Sequence, residues 1–208
     1  MKKQKEEKKK KSLTREILEW ILTIVVAIAI ALPIRAFGFE LVRVDGESMD
    51  NTLANGEIMF VTKYDYASTW LSFPWQDDES KEKATRITTG GNPQRFDVVI
   101  CRYPGRGDTN FVKRVVGLPG DTIEIRDGYL YVNGDRYEEP YICDEYRSGR
   151  LNVFGPYTVP AGEYFVLGDR YGLSVDSRSP VFGTVRGENV VGTAKYILWP
   201  AYRIGEIR

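Results

Sequence analysis

The sequence predicts a mainly β protein, with a single N-terminal transmembrane helix followed by an all-β domain of packed antiparallel sheets. Three observations predict it. Trp20 to Ile34 runs for fifteen residues without a charged side chain, behind a lysine-rich start. From Phe39 onward the apolar residues recur in short runs of period two, the spacing of half-buried strands. Asp127-Gly128 and Asn133-Gly134 bracket Tyr129 to Val132, and such dipeptides close tight hairpins because both turn residues accept positive φ.

The elements follow in order. Residues 1–16 read as a solvated basic tail, and Ile17 to Phe39 as a membrane anchor of 23 mostly apolar residues, with Glu19 and Arg35 near the headgroups. A cleaved signal peptide also combines a basic start with a short apolar run and is the competing reading. The lysines place the N-terminus in the cytoplasm by the positive-inside rule, so residues 40–208 are expected outside the cytoplasmic membrane. Strands are expected at Phe39 to Val44, Glu57 to Val61, Asp97 to Tyr103, Phe111 to Val116, Thr122 to Arg126, Tyr129 to Val132, Tyr164 to Leu167 and Val190 to Leu198. Many short strands imply closed or orthogonally packed sheets with few exposed edges. Residues 67–94 interrupt the pattern and read as a mobile insertion. Its Trp70, Phe73 and Trp75 either pack back on the domain or dip into the membrane interface.

Composition removes several functions. The chain of 208 residues carries 29 basic and 29 acidic residues and no histidine. The first eleven residues hold seven lysines and two glutamates, which leaves 22 basic and 27 acidic residues for the remainder. A mildly acidic body argues against nucleic-acid binding. Without histidine there is no Ser-His-Asp triad, and two cysteines cannot close a zinc site, so neither metal nor cofactor is expected. Cys101 follows Val98-Val99-Ile100 and reads as a buried strand thiol, with a Cys101–Cys143 disulfide as the other reading.

Serine chemistry would then need another base. Lys113 stands among Val112, Val115 and Val116, where desolvation lowers a lysine pKa toward the range of a general base. Ser-Lys pairs are an attested substitute for Ser-His. Ser48 lies in the loop Val44-Asp45-Gly46-Glu47-Ser48-Met49.

Gly46-Glu47-Ser48-Met49-Asp50-Asn51-Thr52-Leu53 resembles the nucleophile box of bacterial type I signal peptidases. Arg95-Phe96-Asp97-Val98-Val99 is similar to their second box, and Lys113 to Asp121 to their lysine box. Gly168-Asp169-Arg170-Tyr171-Gly172-Leu173-Ser174-Val175-Asp176-Ser177-Arg178 resembles their last box. With the anchor, the resemblance covers essentially the chain outside residues 67–94. It implies Ser48 as nucleophile and Lys113 as base, with the Ser48 N–H as main oxyanion donor. Gly46 stands where some relatives have a serine hydroxyl and offers only its backbone. Ser174 matches the serine that orients the lysine amine, Asp176 and Arg178 a supporting ion pair, and Asp169 the aspartate of the pattern. The chain departs from the family in having Asn51 for a usual proline, and Arg170-Tyr171-Gly172-Leu173 for Asn-Arg-Asn-Asn.

The implied substrates are signal peptides of exported preproteins, with small residues at the first and third positions before the cut. Leu41, Val42 and Val44 on one side, with Phe111 and Val112 on the other, are expected to flank an extended peptide. Membrane lipid is the other expected partner. A Ser-Lys peptidase with a dedicated client and an inactive preprotein-binding homologue are the alternatives.

Overall fold

Lysine and glutamate are good helix formers, and the N-terminal segment uses them. In the computed structural model the helix α1 spans Lys2–Pro33. The structure describes residues 2–34, 38–63, 68–70, 86–88, 91–102, 109–147 and 153–208, with backbone alone for 2–12, 68–70 and 86–88. Within α1, the 21-residue stretch Leu13–Pro33 reaches a mean hydropathy of 2.1 over its most apolar eighteen residues, none of which are covered by protein. At 1.5 Å per residue the stretch is about 31 Å long, which matches a hydrocarbon core of roughly 30 Å. By length and composition it can cross a membrane. The expected basic tail is itself part of the helix from Lys2 onward. The α-helix ends at Pro33, residues 35–37 lie outside the described residues, and Phe39 opens the first strand.

Among the described residues fourteen strands follow. They are β1 (Phe39–Arg43), β2 (Ile58–Thr62), β3 (Ser68–Trp70), β4 (Arg86–Thr88), β5 (Val98–Arg102), β6 (Asn110–Gly117) and β7 (Thr122–Arg126). Then come β8 (Tyr129–Val132), β9 (Asp135–Arg136), β10 (Phe154–Thr158), β11 (Glu163–Leu167), β12 (Val185–Arg186), β13 (Val190–Trp199) and β14 (Gly205–Glu206). One eight-stranded sheet runs β1-β2-β13-β5-β6-β11-β12, with β14 joined to β13. A four-stranded sheet runs β10-β7-β8-β9, and β3 pairs with β4. Every pairing is antiparallel.

The eight expected strands are present, most shifted by a residue or so. β10 has no counterpart among the expectations, because Gly155-Pro156 inside it reads as a strand breaker; a register shift between Phe154 and Tyr157 accommodates the dipeptide. The described large sheet is open rather than closed, with β1 and β12 at its edges. β3 and β4 fall within the interval 67–94, whose expected mobility and membrane contacts at Phe73 and Trp75, and at the Trp70 side chain, lie outside the described residues.

β6 and β11 are buried on both faces, so their residues divide between two cores. Val115, Tyr164 and Val166 join Val99, Cys101 and Phe182, whereas Val116, Phe165 and Leu167 join Ile123, Ile125 and Leu130 of the smaller sheet. A third core beneath β1, β2 and β13 contains Met49, Leu53, Met59, Val61 and Ile197. The loop after β1 thus roots in one core while β6 runs beside it.

Candidate active site

The loop between β1 and β2 is pinned by two side chains. Met49 and Leu53 are buried in the core under β1, and such burial contributes about 1.5–3 kcal/mol per side chain. The Met49 carbonyl accepts the N–H groups of both Thr52 and Leu53, at 3.1 and 2.8 Å. Ser48 precedes this turn and is half-buried. Its N–H donates to no protein acceptor among the described residues, and its carbonyl accepts the Arg170 N–H at 3.1 Å. The Gly46 N–H, expected at the oxyanion site, is instead given to Asn55 Oδ1 at 3.1 Å. Gly46 holds the loop at a φ of 106°, which a side chain would disfavour.

Strand alternation sends Lys113 and Arg114 to opposite faces of β6. Lys113 is buried, and its Nζ lies 2.7 Å from Ser48 Oγ. Burial lowers the Lys113 pKa, with Arg178 adding to the effect, while the Asp176 and Asp169 carboxylates oppose it. The Cys101 thiolate would oppose it too, but burial pushes that thiol up to about 12. A thiol that is neutral where Lys113 titrates adds no opposing charge. Cys101 and Cys143 are both free thiols, so the disulfide reading is discarded.

Arg114 turns the other way. It is 2% exposed and its fork meets Asp169, 1% exposed, with Nε to Oδ1 at 3.0 Å and Nη2 to Oδ2 at 2.7 Å. Nη1 donates to the Phe96 carbonyl at 3.0 Å, and the guanidinium lies 3.8 Å from the centre of the Tyr141 ring. Thr52 donates its hydroxyl to Asp169 Oδ2 and accepts from Arg114 Nη2. Asp169 therefore grips the end of the Ser48 turn without approaching Lys113 Nζ by hydrogen bond.

The stretch after β11 closes behind Ser48. Asp176 and Arg178 are fully buried and paired through two contacts, at 2.9 and 2.8 Å. Asp176 Oδ2 also accepts the Gly168 N–H at 3.1 Å, and the Arg178 guanidinium donates to the Tyr171 carbonyl at 2.9 Å. A Cβ on Gly168 would collide with the Ser174 side chain and the Ser48 carbonyl, so only glycine allows this approach. Ser174 is buried there, but its Oγ has no hydrogen-bond partner among the described residues, so the expected contact with the Lys113 amine is not formed, while that amine meets Ser48 Oγ.

The expected peptide-flanking residues divide. β1 is an edge strand, with Leu41 exposed and Val42 half-buried. Among the described residues β11 pairs with β6 from Arg114 to Gly117, and Phe111 to Lys113 pair with β5 alone. Val42 and Val112 pack on the same core, and Phe111 meets Phe182 edge-on at 5.6 Å. Val44 does not belong with these: it is buried, its N–H is given to Glu57 and its carbonyl accepts Gly56 N–H. A peptide cannot pair with it.

Sequence reasoning missed Arg114, Thr52 and Glu139. Arg114 in a valine-rich strand was a legible signal, since a buried guanidinium needs an acid nearby. Glu139 had no signal; it is buried against the Tyr171 hydroxyl at 2.6 Å and Arg147 at 3.1 Å. Burial raises its pKa, against those hydrogen bonds and the Arg147 charge.

The family "Signal peptidase, peptidase S26" matches residues 17–199. Signal peptidase I of Bacillus licheniformis is 35% identical over 200 residues, covering 93% of this chain and 95% of its own. Signal peptidase I T of Bacillus subtilis (strain 168) is 36% identical over 203 residues, covering 93% and 91%. A solved signal peptidase I from Enterococcus faecalis V583 is 39% identical, covers 49% of this chain and 95% of its own, and has a TM-score of 0.41. A match that begins inside the helix and ends with the last residue of β13, with relatives aligned over nine-tenths of both chains, shows that this chain belongs to the signal peptidase family, peptidase S26.

Proposed function

We propose that this chain is a membrane-anchored serine endopeptidase that removes signal peptides from exported preproteins, with Ser48 as nucleophile and Lys113 as general base. The observation that carries the reading is the 2.7 Å contact between Ser48 Oγ and the buried Lys113 Nζ. A neutral amine at that distance can take the hydroxyl proton as Oγ attacks the scissile carbonyl. The oxyanion accepts from the Ser48 N–H, which has no protein acceptor among the described residues. The Lys113 ammonium then protonates the leaving amine, releasing the mature chain and leaving an acyl group on Ser48. In the second half Lys113 takes a proton from water, hydroxide attacks the ester, and Ser48 regains its proton.

The substrate lies extended between two open backbone edges, β1 at Phe39 to Arg43 and β6 at Phe111 to Lys113, and gains strand-like hydrogen bonds from them. The N-terminal lysines hold their end of α1 in the cytoplasm, so the domain works on the outer side. Lipid contact is supported by the outer face of the β1 end of the sheet, where Leu41, Tyr196, Leu198, Trp199 and Ile204 are exposed close to the strand that follows the helix.

The test uses the full chain in detergent with a preprotein substrate. Cleavage after a small residue is expected for the natural sequence and none for Ser48→Ala or Lys113→Met, each still folded. Cleavage at the natural rate by either variant overturns the assignment. For the orientation, a reagent that cannot cross the membrane should label a cysteine placed at exposed Thr109 in intact cells; labelling only after permeabilisation reverses it.

A further inference from the structure

The turn carrying Ser48 is surrounded by charge that the dyad does not use. Arg170 Nη1 donates to Glu47 Oε2 at 2.8 Å and to Asp50 Oδ2 at 3.4 Å. These carboxylates lie one residue before and two residues after Ser48, while the Arg170 N–H holds the Ser48 carbonyl itself. One residue therefore grips the turn at three points. The grip is itself braced: the Arg170 guanidinium stands 4.9 Å from the Tyr146 ring centre, and the Tyr146 hydroxyl donates to the same Asp50 oxygen at 3.0 Å. At the root of the arm, Asp169 is locked to Arg114 and Thr52.

This turn needs such a grip. Asn51, which follows Asp50, takes a φ of 85° and is tied down by Nδ2 to the Tyr141 carbonyl at 2.5 Å. A left-handed residue beside a nucleophile has no proline stiffness, so its neighbours must supply the rigidity. Asn51 and Arg170 are both departures from the family pattern, and both hydrogen-bond to Asp50.

We propose that Arg170 is a positioning residue: its guanidinium straps Glu47 to Asp50 across the nucleophile and holds Ser48 Oγ in register with Lys113 Nζ. This rests on the Ser48–Lys113 reading. Among the described residues Arg170 has no hydrogen bond to β1 or to Phe111–Lys113 of β6, so the strap acts on the chemical step and not on peptide binding. Its side chain is 27% exposed and Glu47 is 64% exposed, which makes the strap sensitive to ionic strength.

The experiment measures kcat and KM for a peptide bearing a preprotein cleavage site, with the full chain in non-ionic detergent. Sodium chloride is varied from about 0.05 M to about 1 M, where the Debye length falls to roughly 3 Å. Arg170→Met should lower kcat on the order of ten-fold with KM unchanged, as a small misplacement of reacting atoms does. The natural chain should lose kcat as salt rises, and Arg170→Met should be nearly indifferent to it. Exchanging the charges, Arg170→Glu with Glu47→Arg, in an Asp50→Asn background that removes the remaining carboxylate, should recover activity lost in the Arg170→Glu, Asp50→Asn variant, without a matching change in melting temperature. An unchanged kcat in Arg170→Met overturns the strap. So does a rise in KM at constant kcat, which would make Arg170 a substrate contact, or a failure of the exchange to recover activity. Ser48→Ala is run in parallel: if it still cleaves, the dyad reading falls, and if it is inactive while Arg170→Met is unaffected, only the strap falls.

Discussion

Replacing Asp169 with alanine leaves the Arg114 guanidinium charged, 2% exposed and without its carboxylate. Two of its contacts, at 3.0 and 2.7 Å, vanish together with the acceptor of the Thr52 hydroxyl. Breaking a buried pair in this way costs about 3–5 kcal/mol, a large share of a stability on the order of 5–15 kcal/mol. For a domain of this size each kcal/mol moves Tm by roughly 2–4 °C, so Asp169→Ala should lower Tm by about 6–20 °C. Asp169→Asn keeps the shape and one acceptor and should lose about half as much, near the worth of charge-assisted hydrogen bonds of about 1.5–3 kcal/mol. The double variant Arg114→Met, Asp169→Leu removes both charges and should regain most of the loss. The assay is thermal unfolding of the full chain in detergent followed by tryptophan fluorescence. A change below about 1 kcal/mol in Asp169→Ala, or a double variant no more stable than the single, would refute the view that this pair holds the Ser48 turn through buried charge.

The cleavage rate should rise with pH as Lys113 loses its proton, with a midpoint below the ordinary lysine value near 10.4, because burial disfavours the ammonium; a rate profile still climbing steeply past that value contradicts this. Lys113→Met should raise stability at acid pH. There the unfolded chain holds a proton that the native site resists, so native stability rises with pH from the lowered folded pKa toward the unfolded one, and the variant's advantage should shrink across that window; a difference in urea midpoint independent of pH would contradict it. Gly168→Ala should cut kcat by ~10-fold or more, since its Cβ must displace Ser174 or the Ser48 carbonyl, and natural turnover in that variant would dismiss the close approach. Asn51→Pro should be inactive because proline fixes φ near about −65° where the turn has 85°, whereas Asn51→Gly should keep much of the activity; the reverse order in a cleavage assay would count against the left-handed turn.

Much of the site was legible because its chemistry is carried by residue type. A lysine between valines declared its own desolvation, and the lack of histidine left few other bases for a serine. Arg114 was equally visible in that strand, but its partner lies 55 residues away and could not be chosen among the carboxylates. The reading of Gly46 failed for a related reason. Its N–H was available in sequence terms, and only the fold brings Asn55 Oδ1 onto it. Val44 alternates correctly for a peptide-facing strand residue, yet it lies one residue past the end of β1, where the chain turns in against Glu57.

The sequence by itself determined the class of the protein: a helix able to cross a membrane, a β domain marked by period two and hairpin turns, and a serine and a lysine suited to each other. These follow from local properties, since hydrophobic period and turn chemistry depend on near neighbours. Only the tertiary structure decided which groups meet. It brought Lys113 to 2.7 Å from Ser48 across 65 residues, set Arg170 over Glu47 and Asp50, and placed β1 at an edge of the large sheet among the described residues. Those contacts arise from the pairing order of strands distant in the chain, which registers and packing select together and no local pattern encodes.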